Sequence, residues 1–243
     1  MEPCLSRSTK LFKISELTTM KKILIIIIGL MLGSAIQPVV GQTINWNSVD
    51  NFKNVINLGF GWDYSLSYHI AYARKLNTKM PVALNASFAI PSGENLVDDF
   101  KTKIGGQLVI LNNANYKGAV TINGIFRRYE SPLVRLHNFG SELKGSFGYY
   151  STKWFLAAEL GFDKAIVTHV KHAKSYKDNV YSEAVDGWYE PATGGNYILG
   201  MQTGVSFKKS DIILNLGVVK TQDLKSSPLI PFYLMLGYNL RFN

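Results

Sequence analysis

The last fourteen residues of the chain alternate without a break. Ile230, Phe232, Leu234, Leu236, Tyr238, Leu240 and Phe242 share one side of an extended chain; Pro231, Tyr233, Met235, Gly237, Asn239, Arg241 and Asn243 share the other. A period of two belongs to a β-strand whose faces meet different surroundings, whereas a helix would repeat at about 3.6. The same pattern sets Trp154, Leu156, Ala158, Leu160 and Phe162 against Phe155, Ala157, Glu159, Gly161 and Asp163. It returns in Tyr197 to Phe207, where Leu199, Met201 and Val205 oppose Gly200, Gln202 and Gly204.

Extending the count gives ten candidate strands: 54–62, 65–75, 81–90, 102–111, 117–127, 139–150, 153–163, 196–207, 210–219 and 230–242. Most have the about 9–11 residues that a tilted strand needs to cross a bilayer. Even positions are apolar from Ile56 through Tyr72, so a hairpin near Trp62 to Ser65 is required to keep the strand number even, as closed bacterial barrels do. The predicted fold is all-β: a closed antiparallel up-and-down barrel of about ten strands, eight being the smaller option. Its connections fall into two classes. A tight turn near Asp63 and the segments 91–101, 128–138, 164–196 and 220–229 join strands at one end; the intervening 76–80, 112–116, 151–152 and 208–209 are short. That asymmetry is expected of long extracellular loops and short periplasmic turns.

Alternation does not by itself distinguish a membrane barrel from a secreted, lipocalin-like one. The polar face does: it is mostly Gly, Ala, Ser and Asn, with scattered Glu142, Lys144, Glu159 and Arg241, where a water-facing exterior would carry far more Lys and Glu. Those four charges are expected to form a polar network inside the barrel, paired because unpaired charge in a low-dielectric interior is costly. On the apolar face, aromatics gather at both ends. Trp62, Phe88, Phe126, Phe139, Phe162, Tyr197 and Phe232 stand toward the long loops; Tyr72, Tyr116, Tyr149, Trp154, Phe207 and Phe242 stand toward the short turns. Two such girdles are expected at the two lipid interfaces.

The segment before the barrel reads as an export signal. Lys21 and Lys22 precede an apolar stretch from Ile23 to Leu32, and Val39-Val40-Gly41 sets small residues before Gln42. This predicts a signal peptide over 20–41, cleaved near Gly41/Gln42, with 1–19 an upstream extension and Met20 the natural start. Residues 42–52 are then a short periplasmic segment and 53–243 the barrel. Residues 1–41 hold five of the 26 Lys+Arg and two of the 17 Asp+Glu, leaving 21 against 15. That mild excess suits anionic lipid better than nucleic acid, which is not expected as a partner. The one cysteine, Cys4, precedes the cleavage point, which leaves no thiol for a disulfide, a zinc–thiolate site or a nucleophile.

The closing segment from Tyr233 to Asn243, Tyr-Leu-Met-Leu-Gly-Tyr-Asn-Leu-Arg-Phe-Asn, resembles the C-terminal β-signal of bacterial outer-membrane β-barrel proteins, with its terminal aromatic, Phe242, one place early. The resemblance implies an outer-membrane location, recognition of that strand by the barrel-assembly machinery, and outer-membrane lipid as surroundings. It names no activity.

Little in the chain carries chemistry. His169-Val-Lys-His172 would put two imidazoles on one metal if helical, but Lys171 and Lys174 oppose a cation, and a solvated loop is the simpler reading. His69, with Ser65 and Ser67, alternates inward, whereas barrel hydrolases present a Ser–His pair toward lipid. Asp98-Asp99 is the only adjacent acidic pair and has no histidine set to join it; His137 reads as a loop residue. No catalytic residue, cofactor or metal site is expected. Trp188 and Tyr189, in the longest loop, are the candidates for binding an extracellular or envelope ligand. The expected function is a non-enzymatic outer-membrane barrel with binding loops or a structural or accessory role. A small channel for polar solutes is the alternative, and a barrel hydrolase the third.

Overall fold

The computed structural model describes residues 42–48, 52–92, 98–191 and 194–243. The expected signal peptide and the extension before it lie outside those residues. The strands are β1 (Asn54–Trp62), β2 (Leu66–Leu76), β3 (Val82–Pro91), β4 (Asp99–Asn113), β5 (Tyr116–Glu130), β6 (Val134–Tyr150) and β7 (Trp154–His172). A short helix, α1 (Lys174–Asn179), and a three-residue strand, β8 (Gly187–Tyr189), lead to β9 (Gly195–Ser206), β10 (Ser210–Thr221) and β11 (Phe232–Phe242). Each strand pairs antiparallel with its sequence neighbour, except that β7 passes over β8 to β9, and β1 pairs β11 to shut the cylinder. The result is a closed ten-stranded antiparallel barrel, with β8 attached above its rim.

Side chains alternate out and in along every wall. Outside stand Leu58, Ile70, Leu84, Ile104, Ile122, Leu143, Leu160, Leu199, Ile212 and Leu236, all exposed. An apolar surface that surrounds a cylinder is far larger than water-soluble proteins tolerate; hydrocarbon is the solvent that this exterior fits. The girdle rings are in contact. At the long-loop end Phe88, Phe100, Phe126, Phe139 and Trp188 form a chain with centroids 5.1–6.0 Å apart, and Phe162 meets Tyr197 at 4.9 Å. At the short-turn end Tyr149 meets Tyr116 at 5.5 Å and Trp154 at 5.1 Å. Trp62, Tyr72, Phe207 and Phe242 are also exposed at the strand ends expected for them.

Two expected loops are largely sheet. β6 begins at Val134 and β7 runs to His172, so the segment 128–138 reduces to a turn at 131–133, and the first nine residues of 164–196 continue the strand. In β7 the alternation breaks at a bulge: Phe139 pairs Val167 while Gly140 pairs Ala165, leaving Ile166 unmatched. The extra residue turns β7 by one place, so that Thr168 and Val170 are buried above it where Ala165 and Asp163 are buried below. With 17 and 19 residues, β6 and β7 exceed a membrane crossing by six or more, which at the usual tilt carries the hairpin roughly 14 Å past the rim.

Candidate functional site: a filled lumen and a raised hairpin

The lumen is occupied along its height. At the long-loop end the turn after β1 folds inward, burying Asp63 and placing Tyr64 between two cations, with Lys101 Nζ 4.8 Å and Arg127 Cζ 4.4 Å from its ring centre. Arg127 is held bidentately by Asp99, at 2.9 and 2.7 Å. Below, Lys103 is bonded to Glu142, which also accepts from Asn123 Nδ2 at 2.7 Å. Lys144 stands between Glu159 at 3.0 Å and Glu142 at 3.9 Å, and the Tyr233 hydroxyl donates to Glu159 at 3.2 Å. Lys103, Glu142 and Lys144 are all buried, so their charges can persist only as a mutually compensated group.

The short-turn end is filled by the segment expected to be a periplasmic lead-in. Its described residues Gln42, Thr43, Ile44, Asn45 and Trp46 are buried. Gln42 Nε2 donates to Val55 O at 3.1 Å, and its own carbonyl accepts from Gln107 Nε2 at 2.6 Å. The Thr43 hydroxyl donates to Asn215 Oδ1 at 2.9 Å, and the Thr43 carbonyl accepts from Asn239 Nδ2 at 2.9 Å. Asn45 Nδ2 bonds Ser206 Oγ at 2.8 Å and Ser151 O at 2.9 Å. Ile44 and Trp46 join Val55, Ala73, Ala83, Val109, Tyr150 and Phe155 in an apolar cluster inside the barrel, where Tyr150 and Phe155 stack at 5.5 Å. Burying those two side chains contributes about 3–6 kcal/mol before the entropy of ordering them.

Of the four charges expected in the lumen, Glu142, Lys144 and Glu159 lie together. Arg241 stands apart near the short-turn end, donating to Ser48 O at 2.6 Å, to Phe207 O and to Ser210 O, with Asp211 at 3.4 Å. Sequence reasoning named Asp63 only as a turn and Asp163 only by its face, and passed over Lys101 and Lys103; all four are buried inside, and the inward parity of Lys103, shared with Gln107, was the available signal.

The other candidates separate. His69 is buried in the lumen, but Ser67 Oγ bonds Ser65, at 3.0 Å to both its oxygens, rather than the imidazole. Asp99 is committed to Arg127. The expected loop segment His169–His172 is the end of β7, and its bonds separate the two imidazoles. His169 pairs His137 and lies against Trp188 at 4.9 Å. His172 bonds Asp186 at 2.9 Å and stacks on Tyr176 of α1 at 5.0 Å. Asp186 also accepts from the His172 amide at 2.8 Å and from Lys177 at 2.8 Å. These bonds, the amide foremost, hold its carboxyl well below the usual range. Trp188 is 60% exposed and adjoins Phe139 at the end of the aromatic chain; Tyr189 donates to Val185 O at 2.8 Å.

A closed barrel with a greasy exterior, ringed at both ends by aromatics and charged within, defines a membrane-spanning β-barrel protein. No family model matches the chain, and no curated protein does. Among solved structures, it is similar to the KdgM porin, alone and in complex with disordered oligogalacturonate, each at 9% identity with a TM-score of 0.40 over 78% of this chain and 99% of the porin. It is also similar to the Yersinia pestis outer membrane protein Ail in a phospholipid bilayer nanodisc, at 13% identity and a TM-score of 0.31 over 79% of this chain and 99% of that one.

Proposed function

We propose that the chain is an outer-membrane barrel without a standing pore, which serves as a rigid base for its long-loop side and acts through the raised β6–β7 hairpin with α1 and β8. The observation that carries this is the filled lumen: the Asp63–Tyr64 turn above, the Lys103–Glu142–Lys144–Glu159 group in the middle and the Gln42–Trp46 segment below. A barrel built to conduct would have little use for three successive obstructions. The hairpin, by contrast, is braced by Asp186 and Tyr176 and presents Tyr181, Val185 and Tyr189, all exposed, beyond the rim. Exposed aromatics on a braced scaffold suit recognition of a partner or a glycan. In this reading the hairpin is extracellular and the chain performs no catalysis.

Planar-bilayer recording tests the first half. The purified chain should insert without stepwise conductance; regular single-channel steps would sink the reading. A gated channel is the second reading, favoured by the polar walls that the Gln42–Trp46 segment covers. It requires steps to appear when that segment is removed.

A further inference from the structure

The outward face of the rim over β5 to β8 is tiered. The lowest tier is aromatic: Phe126 and Phe139, in contact at 5.1 Å, with Trp188, which pairs His169 one repeat higher, 6.0 Å from Phe139. One pleat repeat higher come Arg128, His137 and His169, paired in register across β5, β6 and β7. One further repeat up stand Glu130, Arg135 and Lys171, again in register. Glu130 is bonded to both Arg128 and Arg135, which fixes the two guanidiniums side by side. Lys171, exposed, flanks Arg135 on the other strand. Asp98, next to Glu130 just before β4, also acts on Arg135, so the face holds three positive charges against two negative, with Lys171 on the side away from both carboxylates.

Each pleat repeat spans about 7 Å of strand and, at a tilt of about 45°, about 5 Å of height, which sets the two charged tiers about 5 and 10 Å above the rings. Interfacial aromatics mark the edge of the hydrocarbon, and the headgroup layer beyond it is about 5–8 Å deep. The lower tier therefore stands at the depth of lipid phosphates, and the side chains of Arg135 and Lys171 are long enough to reach that depth from above. A guanidinium pair held by a shared carboxylate and a neighbouring ammonium is a donor set suited to a phosphate. The rings beneath offer the same molecule an apolar wall for its acyl chains.

We propose that this face holds the phosphate group of an outer-leaflet lipid on Arg135 and Lys171, with Arg128 behind them and the acyl chains against Phe126, Phe139 and Trp188. The site rests on the membrane placement given above but not on the closed lumen. A lipid is favoured over a soluble anion because the charges face sideways, into the headgroup layer, and adjoin the aromatic belt.

The test uses the full chain in phosphatidylcholine nanodiscs doped with lipid A, a phosphorylated glycolipid, or with its dephosphorylated form. Lipid retained per barrel after extraction into mild detergent is read by mass spectrometry. Lipid A should be retained in preference to its dephosphorylated form and should resist millimolar inorganic phosphate. The R135Q/K171Q double variant should retain it roughly thirtyfold less well, while Lys208→Gln at the opposite end changes nothing. A boiling-dependent gel shift in each variant confirms that the barrel is folded. Equal retention of the dephosphorylated lipid, full retention by the double variant, or displacement by inorganic phosphate would each overturn the proposal. A conducting barrel that still retains lipid A would refute the closed lumen and leave this site standing.

Discussion

The ring of Tyr233 occupies the place where a side chain at Gly200 would be: a Cβ there would stand 2.0 Å from the phenol oxygen and 2.4 Å from Leu216 O. Gly217 on the neighbouring strand leaves the same clearance, its own added Cβ falling 2.6 Å from the ring. The tyrosine lies flat across two strands, and its hydroxyl reaches Glu159. Two inward-facing glycines are the bed of a buried ring. Gly200→Ala should therefore lower stability by about 1–3 kcal/mol, through overpacking against backbone that cannot yield. Urea unfolding in lipid vesicles, followed by the boiling-dependent gel shift, measures it; an unchanged midpoint would mean that the ring moves aside freely.

Lys144 is the hinge of the charge group, since two carboxylates depend on it. Replacing it with Met leaves Glu142 with Lys103 alone and strips Glu159 of its cation. A loss of about 3–5 kcal/mol is expected, as when one partner of a buried pair is removed. Adding Glu159→Gln should recover part of it, because the stranded charge is then gone. The same unfolding assay reads both; two losses that simply add would show that the residues are not coupled.

The Gln42–Trp46 segment covers Gln107 from the short-turn side. Cysteine introduced at Gln107 should react slowly with a water-soluble maleimide in the full chain and quickly when residues 42–48 are deleted. Asn45→Ala, which removes three hydrogen bonds, should give an intermediate rate. Equal rates in all three would show that the segment does not shield the lumen.

Asp186 gives the hairpin an acid limit. Its carboxyl is depressed in the folded protein by the His172 amide, Lys177 and the His172 side chain. A depressed carboxylate adds stability that is complete above its ordinary value of 3.8 and is lost as pH falls through the folded value. Acidification below about pH 3.8 should thus loosen α1 from β7 while the barrel persists. Trp188 fluorescence, with the other three tryptophans replaced by Phe, reports it. Asp186→Asn should show the loosened signal already at neutral pH, and a flat wild-type acid titration would refute the role.

All ten barrel strands were legible because nothing else in a chain of this kind alternates so long: Ile230 to Phe242 states its two faces residue by residue. Sequence reading failed where the period broke. Ile166 is surplus to the ladder, so parity changes within β7 and His169 looked like loop. The lodging of Gln42–Trp46 was invisible for another reason. Five residues carry no periodicity, and their partners Gln107, Ser206, Asn215 and Asn239 belong to strands across the barrel. The charge group was half legible: inward parity marked Glu142, Lys144 and Glu159, while the partnership of Lys103 with Glu142 needs the β4–β5–β6 register.

β7 changes companions along its length. From Trp154 to Lys164 it is bonded to β9, and from Thr168 to Val170 to β8. Below the change its bonds belong to a ring that opens only if the whole cylinder does. Above it, three residues of β8 can let go and leave that ring untouched. Among the described residues, β7 above Ile166 is paired only with β6 and those three, so amide exchange should divide β7 there into a slow half and a fast one. Whatever the hairpin meets can reshape it at the lower cost, with the wall in the membrane none the weaker.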